Sequence, residues 1–344
     1  MVYKREILST KKIEPLYIFF HMPKCAGSTF RCHVERNFKK GEAVSICWDG
    51  YFDVTSEKYT FFTSGECRKQ INAYLSRLTV KQKDKIKILH GHEIYYGIHR
   101  FFPDREPRYI TFVRCPVEKE VSMYNFSRDR VENPFKYPIK NWNVRQIKIL
   151  EKVRNDVIHN GTLLSFAECL KKHTWTSNDT FQFLREHGFG NVGMPIVDDL
   201  FKEFYFIGIT EKYKTDALFL YHLLGIKKFY SDQNISKKYV DAKNLSKELR
   251  DFLDERNKKD MRLYEHALFL NKNFKKKSLY FWYAVFCVKM IRMPLAKFKV
   301  FRSRHKTPLR IAYDASFILR HRIPFYARLL DALKQRVKTP ISLQ

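Results

Sequence analysis

Three short groups of side chains in this chain are spaced for chemistry on an anion. The first, Pro23, Lys24, Cys25, Ala26, Gly27, Ser28 and Thr29, lies between the apolar run Leu16 to His21 and a helical pattern. A small-residue turn there points backbone N–H groups and the positive end of a helix dipole at one spot, which suits an anion. Lys24 adds a full charge, Gly27 permits close backbone approach, and the Ser28 and Thr29 hydroxyls stand at the helix start. The second group is Arg114 and Ser122 in "YITFVRCPVEKEVSMYNF". It puts a guanidinium at a strand's C-terminal end and a hydroxyl two turns into a helix opened by Pro116, within reach of one phosphate. The third is His90, His92 and His99 in "LHGHEIYYGIHRF". Alternation along a strand sends His90 and His92 to the same side, where a base titrating near neutral pH would sit.

The elements that must position these groups follow from the apolar pattern. Strands are expected at Leu16–His21, Ile86–His92, Tyr109–Arg114 and Phe204–Ile209, with a helix over Ser28–Phe38. Further helical patterns cover Asn143–Ile158, Leu163–Lys172, Asp179–His187 and Ser246–Leu270. Strands alternating with helices predict an α/β fold with a parallel sheet flanked by helices. Two anion grips at strand C-terminal ends suggest a nucleotide phosphorylated at both ends of its ribose. The Walker pattern G-x-x-x-x-G-K-[ST] is absent, so no hydroxyl is set to hold Mg²⁺ beside a β-phosphate. The histidines lack cysteine neighbours at metal-ligand spacing, and no metal is expected.

Composition bounds the rest. The 344 residues carry a formal charge of +29, and residues 271–344 hold 18 Lys and Arg against Asp314 and Asp331 alone. Such a chain favours polyanionic partners. The division predicted is a 1–270 catalytic domain and a 271–344 basic, aromatic-rich helical extension. That extension mixes Tyr280, Phe281, Trp282, Phe286 and Phe298 with the basic residues. It reads either as a helix packed on the body or as one lying on an anionic membrane surface. Seven scattered cysteines read as mostly reduced thiols, with Cys47–Cys67 a conceivable pair. No apolar run of signal length precedes Leu16, so the expected location is the cytoplasm, free or peripheral on the membrane's inner face. The sequons at Asn125, Asn160, Asn178, Asn234 and Asn244 then read as chance.

"HMPKCAGSTF" together with "YITFVRCPVEKEVSMYNF" resembles the 5′- and 3′-phosphate-binding segments of sulfotransferases that use 3′-phosphoadenosine-5′-phosphosulfate. The likeness is to the heparan sulfate and uronyl 2-O-sulfotransferase family and its bacterial relatives. "HGHEIYYGIHRFFP" and "FYFIGITEKYKTDALFLYHLLGI" extend it over most of Leu16–Leu270. The resemblance implies a P-loop-like sulfotransferase fold, with the phosphosulfate as donor and a carbohydrate, glycan or glycolipid, as acceptor. It places Pro23 to Thr29 on the 5′-phosphate and Arg114 and Ser122 on the 3′-phosphate. His92 becomes the base, His90 a residue that orients it or touches substrate, and Lys24 the group over the leaving oxygen. Arg114, Pro116, Val117, Ser122 and Tyr124 match the family pattern. Cys115 stands where the pattern has an acidic or amide residue, and Lys119 replaces its second arginine. Two other readings stay open: a basic nucleotide- or polyanion-binding protein without turnover, and a nucleic-acid-binding module. The latter lacks a zinc finger, an RNP-like run or basic heptads, and no specific nucleic acid is expected.

Overall fold

The computed structural model describes residues 14–48, 50–56, 58–62, 66–133, 157–160, 162–172, 179–190, 197–230, 236–294 and 296. The helix expected over Asn143–Ile158 lies almost wholly outside them. The chain divides into two units, Met1–Tyr213 with Ser231–Asn271, and Lys214–Tyr230 with the residues from Lys272 onward. Residues 214–230, expected within the first domain, thus group with the later part of the chain.

The first unit is a mixed α/β body. Strands β1 (Pro15–Phe20), β2 (Ala43–Cys47), β3 (Gly50–Asp53), β4 (Lys58–Phe61), β5 (Ile88–Gly91), β6 (Glu106–Val113) and β7 (Phe204–Ile209) form one sheet. Its order is β4-β3-β2-β5-β1-β6-β7. The β2-β5-β1-β6-β7 pairs are all parallel, while β3 and β4 extend the edge antiparallel. Central β1 is apolar throughout because both its faces are covered. Phe19 packs on Phe30 of α1 (Gly27–Asn37), ring centroids 4.4 Å apart, while Phe20 packs on Phe183, 5.1 Å away.

Along the chain, α2 (Cys67–Arg77) and α3 (Val80–Lys85) precede β5, and α4 (Pro116–Glu132) follows β6. A hairpin of Ile158–His159 and Thr162–Leu163 leads to α5 (Phe166–Lys172) and α6 (Asp179–Glu186). Helix α7 (Tyr213–Leu223) follows β7, and the expected long helix after Ser246 is two, α8 (Lys247–Arg256) and α9 (Lys258–Lys277). Ser246 caps α8 through the Leu249 N–H, and Asn257 interrupts the run. Helix α4 grips a distant strand of chain: Asn125 Oδ1 accepts from the Tyr239 and Val240 amides, and its Nδ2 donates to the Val240 carbonyl. Asn125 is 8% exposed, so that sequon cannot carry a glycan.

In the second unit, Phe219 packs on Phe281, centroids 5.1 Å apart, and buried Asp216 pairs with Lys275. Helix α10 (Leu279–Phe286) is capped by Ser278 and continues into a π-helical stretch over Cys287–Arg292. Phe281, Ala284, Val285, Cys287 and Val288 are buried, while Leu279, Tyr280, Trp282 and Ile291 are exposed. No described helix is long and apolar enough to cross a membrane.

Candidate active site

The turn after β1 is built by two non-glycine residues in left-handed conformation, Lys24 at φ 60° and Ala26 at φ 61°. Held strain of this kind concentrates where backbone must point at a ligand. The Cys25 N–H donates to the Met22 carbonyl and the Thr29 N–H to that of Ala26. Those two of the expected donors are therefore spent within the turn, and Thr29 is buried. Among the described residues the amides of Lys24, Ala26, Gly27 and Ser28 have no acceptor. Gly27 also meets a need within the chain. A Cβ there would lie 1.9 Å from His21 Cδ2, so the missing side chain makes room for an imidazole. Cys25 is buried, and burial first pushes its thiol up to about 11, leaving a neutral packing group.

Cations converge on this turn. Lys24 Nζ lies 4.0 Å from the centroid of the Phe126 ring. Burial, then the charges of Arg114 and Arg130, lower its amine to about 7. Arg114 Nη1 donates to the Lys24 carbonyl at 3.3 Å, and Nη2 stands 3.5 Å from the Glu118 carboxylate. Among the described residues its buried Nε has no partner. Arg114 thus ties the two expected phosphate segments together, and Ser122 is half-buried on α4. The repulsion that Arg114 and Arg130 exert on Lys24 is of the kind a nearby anion relieves.

Both departures from the family pattern are filled from distant segments. The Cys115 side chain does not cap α4. Instead Glu211, at the end of β7, accepts from the Cys115 N–H at 3.0 Å and from the Tyr264 hydroxyl at 3.1 Å. Lys119, 2% exposed, donates to Asp179 Oδ2 and Thr180 Oγ1, both at 2.9 Å. It is a structural tie between α4 and α6.

The histidines are arranged differently from the sequence expectation. Strand β5 ends at Gly91, whose φ of 145° and closeness to the Ile46 carbonyl exclude a side chain. Strand alternation therefore stops before His92. His90 is 1% exposed, and neither ring nitrogen has a partner among the described residues, so it does not orient His92 by a hydrogen bond. His21 does. His92 Nδ1 lies 2.7 Å from the His21 carbonyl oxygen, and the ring sits between His21 and Trp48, centroids 3.9 and 4.6 Å away. A carbonyl at Nδ1 fixes the proton there and leaves Nε2 as the acceptor. Burial lowers His92 to about 3, partly offset by that hydrogen bond, and burial lowers His90 likewise to about 3. His99 lies apart, its Nδ1 3.0 Å from the Tyr109 hydroxyl.

His21, Trp48 and His187 escaped the sequence reading. His187 is placed through Phe183 and Phe20, whose rings lie 4.2 and 5.2 Å from it. Only His21, adjoining the loop, gave any signal in the sequence. Among the described residues no three His, Cys, Asp or Glu are grouped to hold a metal, and all seven cysteines are free thiols.

No protein-family model and no curated protein matches the chain. A solved structure, the sulfotransferase from Alicyclobacillus acidocaldarius, aligns with 76% of this chain and 97% of its own, at 12% identity and a TM-score of 0.32. A likeness that slight assigns neither family nor activity, and the functional reading rests on the residues above.

Proposed function

We propose that this protein transfers a sulfuryl group from 3′-phosphoadenosine-5′-phosphosulfate to a carbohydrate hydroxyl. The observation that carries the reading is the junction at His21. Its backbone leads into the cationic Lys24 turn, and its carbonyl orients the His92 imidazole. An anion grip and an oriented base are thereby joined by one short stretch of chain.

Sulfuryl transfer between oxygens resembles phosphoryl transfer, with a loose transition state and charge on the leaving oxygen, so positioning and electrostatics dominate. The amides of Ala26, Gly27 and Ser28 would hold the 5′-phosphate, and Lys24 would neutralise the leaving oxygen. Arg114 and Ser122 would take the 3′-phosphate. His92, neutral and with Nε2 as acceptor, would receive the acceptor hydroxyl's proton.

Calorimetric titration with 3′-phosphoadenosine 5′-phosphate, then labelled-sulfate transfer to candidate glycans, tests the reading. Arg114→Ala and Ser122→Ala should weaken the 3′-phosphorylated nucleotide far more than its 3′-dephospho analogue. Equal weakening would make them structural, and binding without transfer would favour the turnover-free alternative. For the second unit we propose contact with an anionic membrane surface, supported by the exposure of Tyr280, Trp282 and Ile291 together with that of Lys276, Lys277 and Lys289.

A further inference from the structure

We propose that Arg130 is a third cation of the donor site, and that Phe126 is the ledge on which Lys24 rests until a phosphosulfate draws it away. The inference rests on the donor reading above; Arg130 lies beyond both phosphate segments of the sequence, and Phe126 is the last residue of the second.

Ser122, Phe126 and Arg130 are spaced four apart on α4, which puts them on one face of the helix. All three are half-buried. The guanidinium carbon of Arg130 lies 4.4 Å from the Phe126 centroid, and Lys24 Nζ lies 4.0 Å from the same centroid. One ring therefore receives two cations, one from the loop and one from the helix. A ring face is a weak anchor for an ammonium, far weaker than charge-assisted hydrogen bonds to a phosphate or sulfate oxygen. Lys24 is stored close to its place of use and released by the stronger partner.

The charges facing Lys24 agree with this. Arg114 approaches from the β6–α4 junction, with Glu118 as its own partner, and Arg130 comes from α4. The Cys25 thiol adjoins Lys24 in the loop. Burial and the two guanidinium groups depress the Lys24 amine, so removing Arg130 should ease it upward. Arginine keeps its charge throughout, so Arg130 attracts the donor even where Lys24 is neutral.

The test uses the full-length chain and 3′-phosphoadenosine 5′-phosphate, titrated calorimetrically from pH 6 to 9. Arg130→Gln should weaken binding about tenfold or more at pH 6, as expected for losing a charge-assisted contact. It should also move the pH at which affinity falls upward from about 7. Arg130→Lys should restore most of the affinity. Phe126→Leu should tighten binding about two- to fivefold, because the competing ring is gone. Native affinity and an unmoved pH midpoint in Arg130→Gln would overturn the role of Arg130. So would equal weakness of Gln and Lys variants with lowered unfolding temperatures, which marks a structural arginine. Unchanged or weaker binding by a stably folded Phe126→Leu would overturn the ledge. A wild-type chain that binds no nucleotide at any pH would remove the donor reading itself, and this inference with it.

Discussion

The His92 imidazole lies against that of His21, and its Nδ1 is 2.7 Å from the carbonyl oxygen of the same residue. One residue thus supplies both a stacking face and a hydrogen-bond acceptor, and it stands two positions before the loop.

Replacing His92 by Ala should abolish sulfuryl transfer while leaving nucleotide affinity within a factor of about three, since a general base acts on the acceptor side. Parallel calorimetry and transfer assays separate the two. Retained transfer would move the base elsewhere.

Lys24→Ala should lower transfer at least a hundredfold, because a preorganised charge on a developing anion is worth on the order of 3 kcal/mol. The pH profile follows from the same residue. Lys24 carries its charge below about pH 7 and loses it above, whereas His92 stays unprotonated down to about pH 3. The kcat/KM for the donor should therefore fall as pH rises through about 7, with no histidine limb between pH 5 and 7. A profile rising through 6.5 would contradict the depression of His92 by burial.

Gly27→Ala drives a Cβ into the His21 ring. Overpacking of this kind costs about 1–3 kcal/mol. Denaturant unfolding should show that loss. Transfer should fall further than nucleotide binding, because the displaced ring is the one stacked on His92.

Lys119→Met should cost about 3 kcal/mol, the low end for breaking a buried pair. The Asp179 side chain is 35% exposed, so water takes up part of its charge. Nucleotide affinity should stay near native in the folded fraction. A large affinity loss with native stability would return Lys119 to the donor site.

Flotation with anionic vesicles at low salt should raise the protein, and high salt should release it. Trp282→Ala with Tyr280→Ala should weaken the effect. If the full-length chain stays at the bottom with both anionic and neutral lipid, the membrane proposal fails.

The sequence announced β1, the Lys24 turn, α1, and the β6–α4 junction, because each carries a local signal: a continuous apolar run, a small-residue turn, or a proline at a helix start. It did not announce β2, β3 and β4. These strands are short, and β4 is largely exposed, so no run or alternation stands out. The two segments proposed for phosphate were legible as a turn and a strand–helix junction for the same local reason. The shared side expected for His90 and His92 failed because a period-two argument ran one residue past Gly91, where the strand stops. His21, Trp48 and His187 depend on packing between elements remote in sequence. At Cys115 and Lys119, which differ from the pattern, the partners Glu211 and Asp179 lie far off in the sequence.

The Glu211 contact bears on how the site is born. The loop, α1, His92, Arg114 and α4 all belong to the first 132 residues, and the carboxylate that meets the Cys115 N–H arrives 96 residues after that cysteine. A chain emerging N-terminus first therefore holds every group of the proposed donor site before it holds the brace for one of them. That brace forms only when β7 adds to β6 as the outer parallel strand, a non-local pairing of the slow kind. Nascent chains halted before Phe204 would carry the site's residues without its architecture, and competence for the nucleotide would switch on late in synthesis.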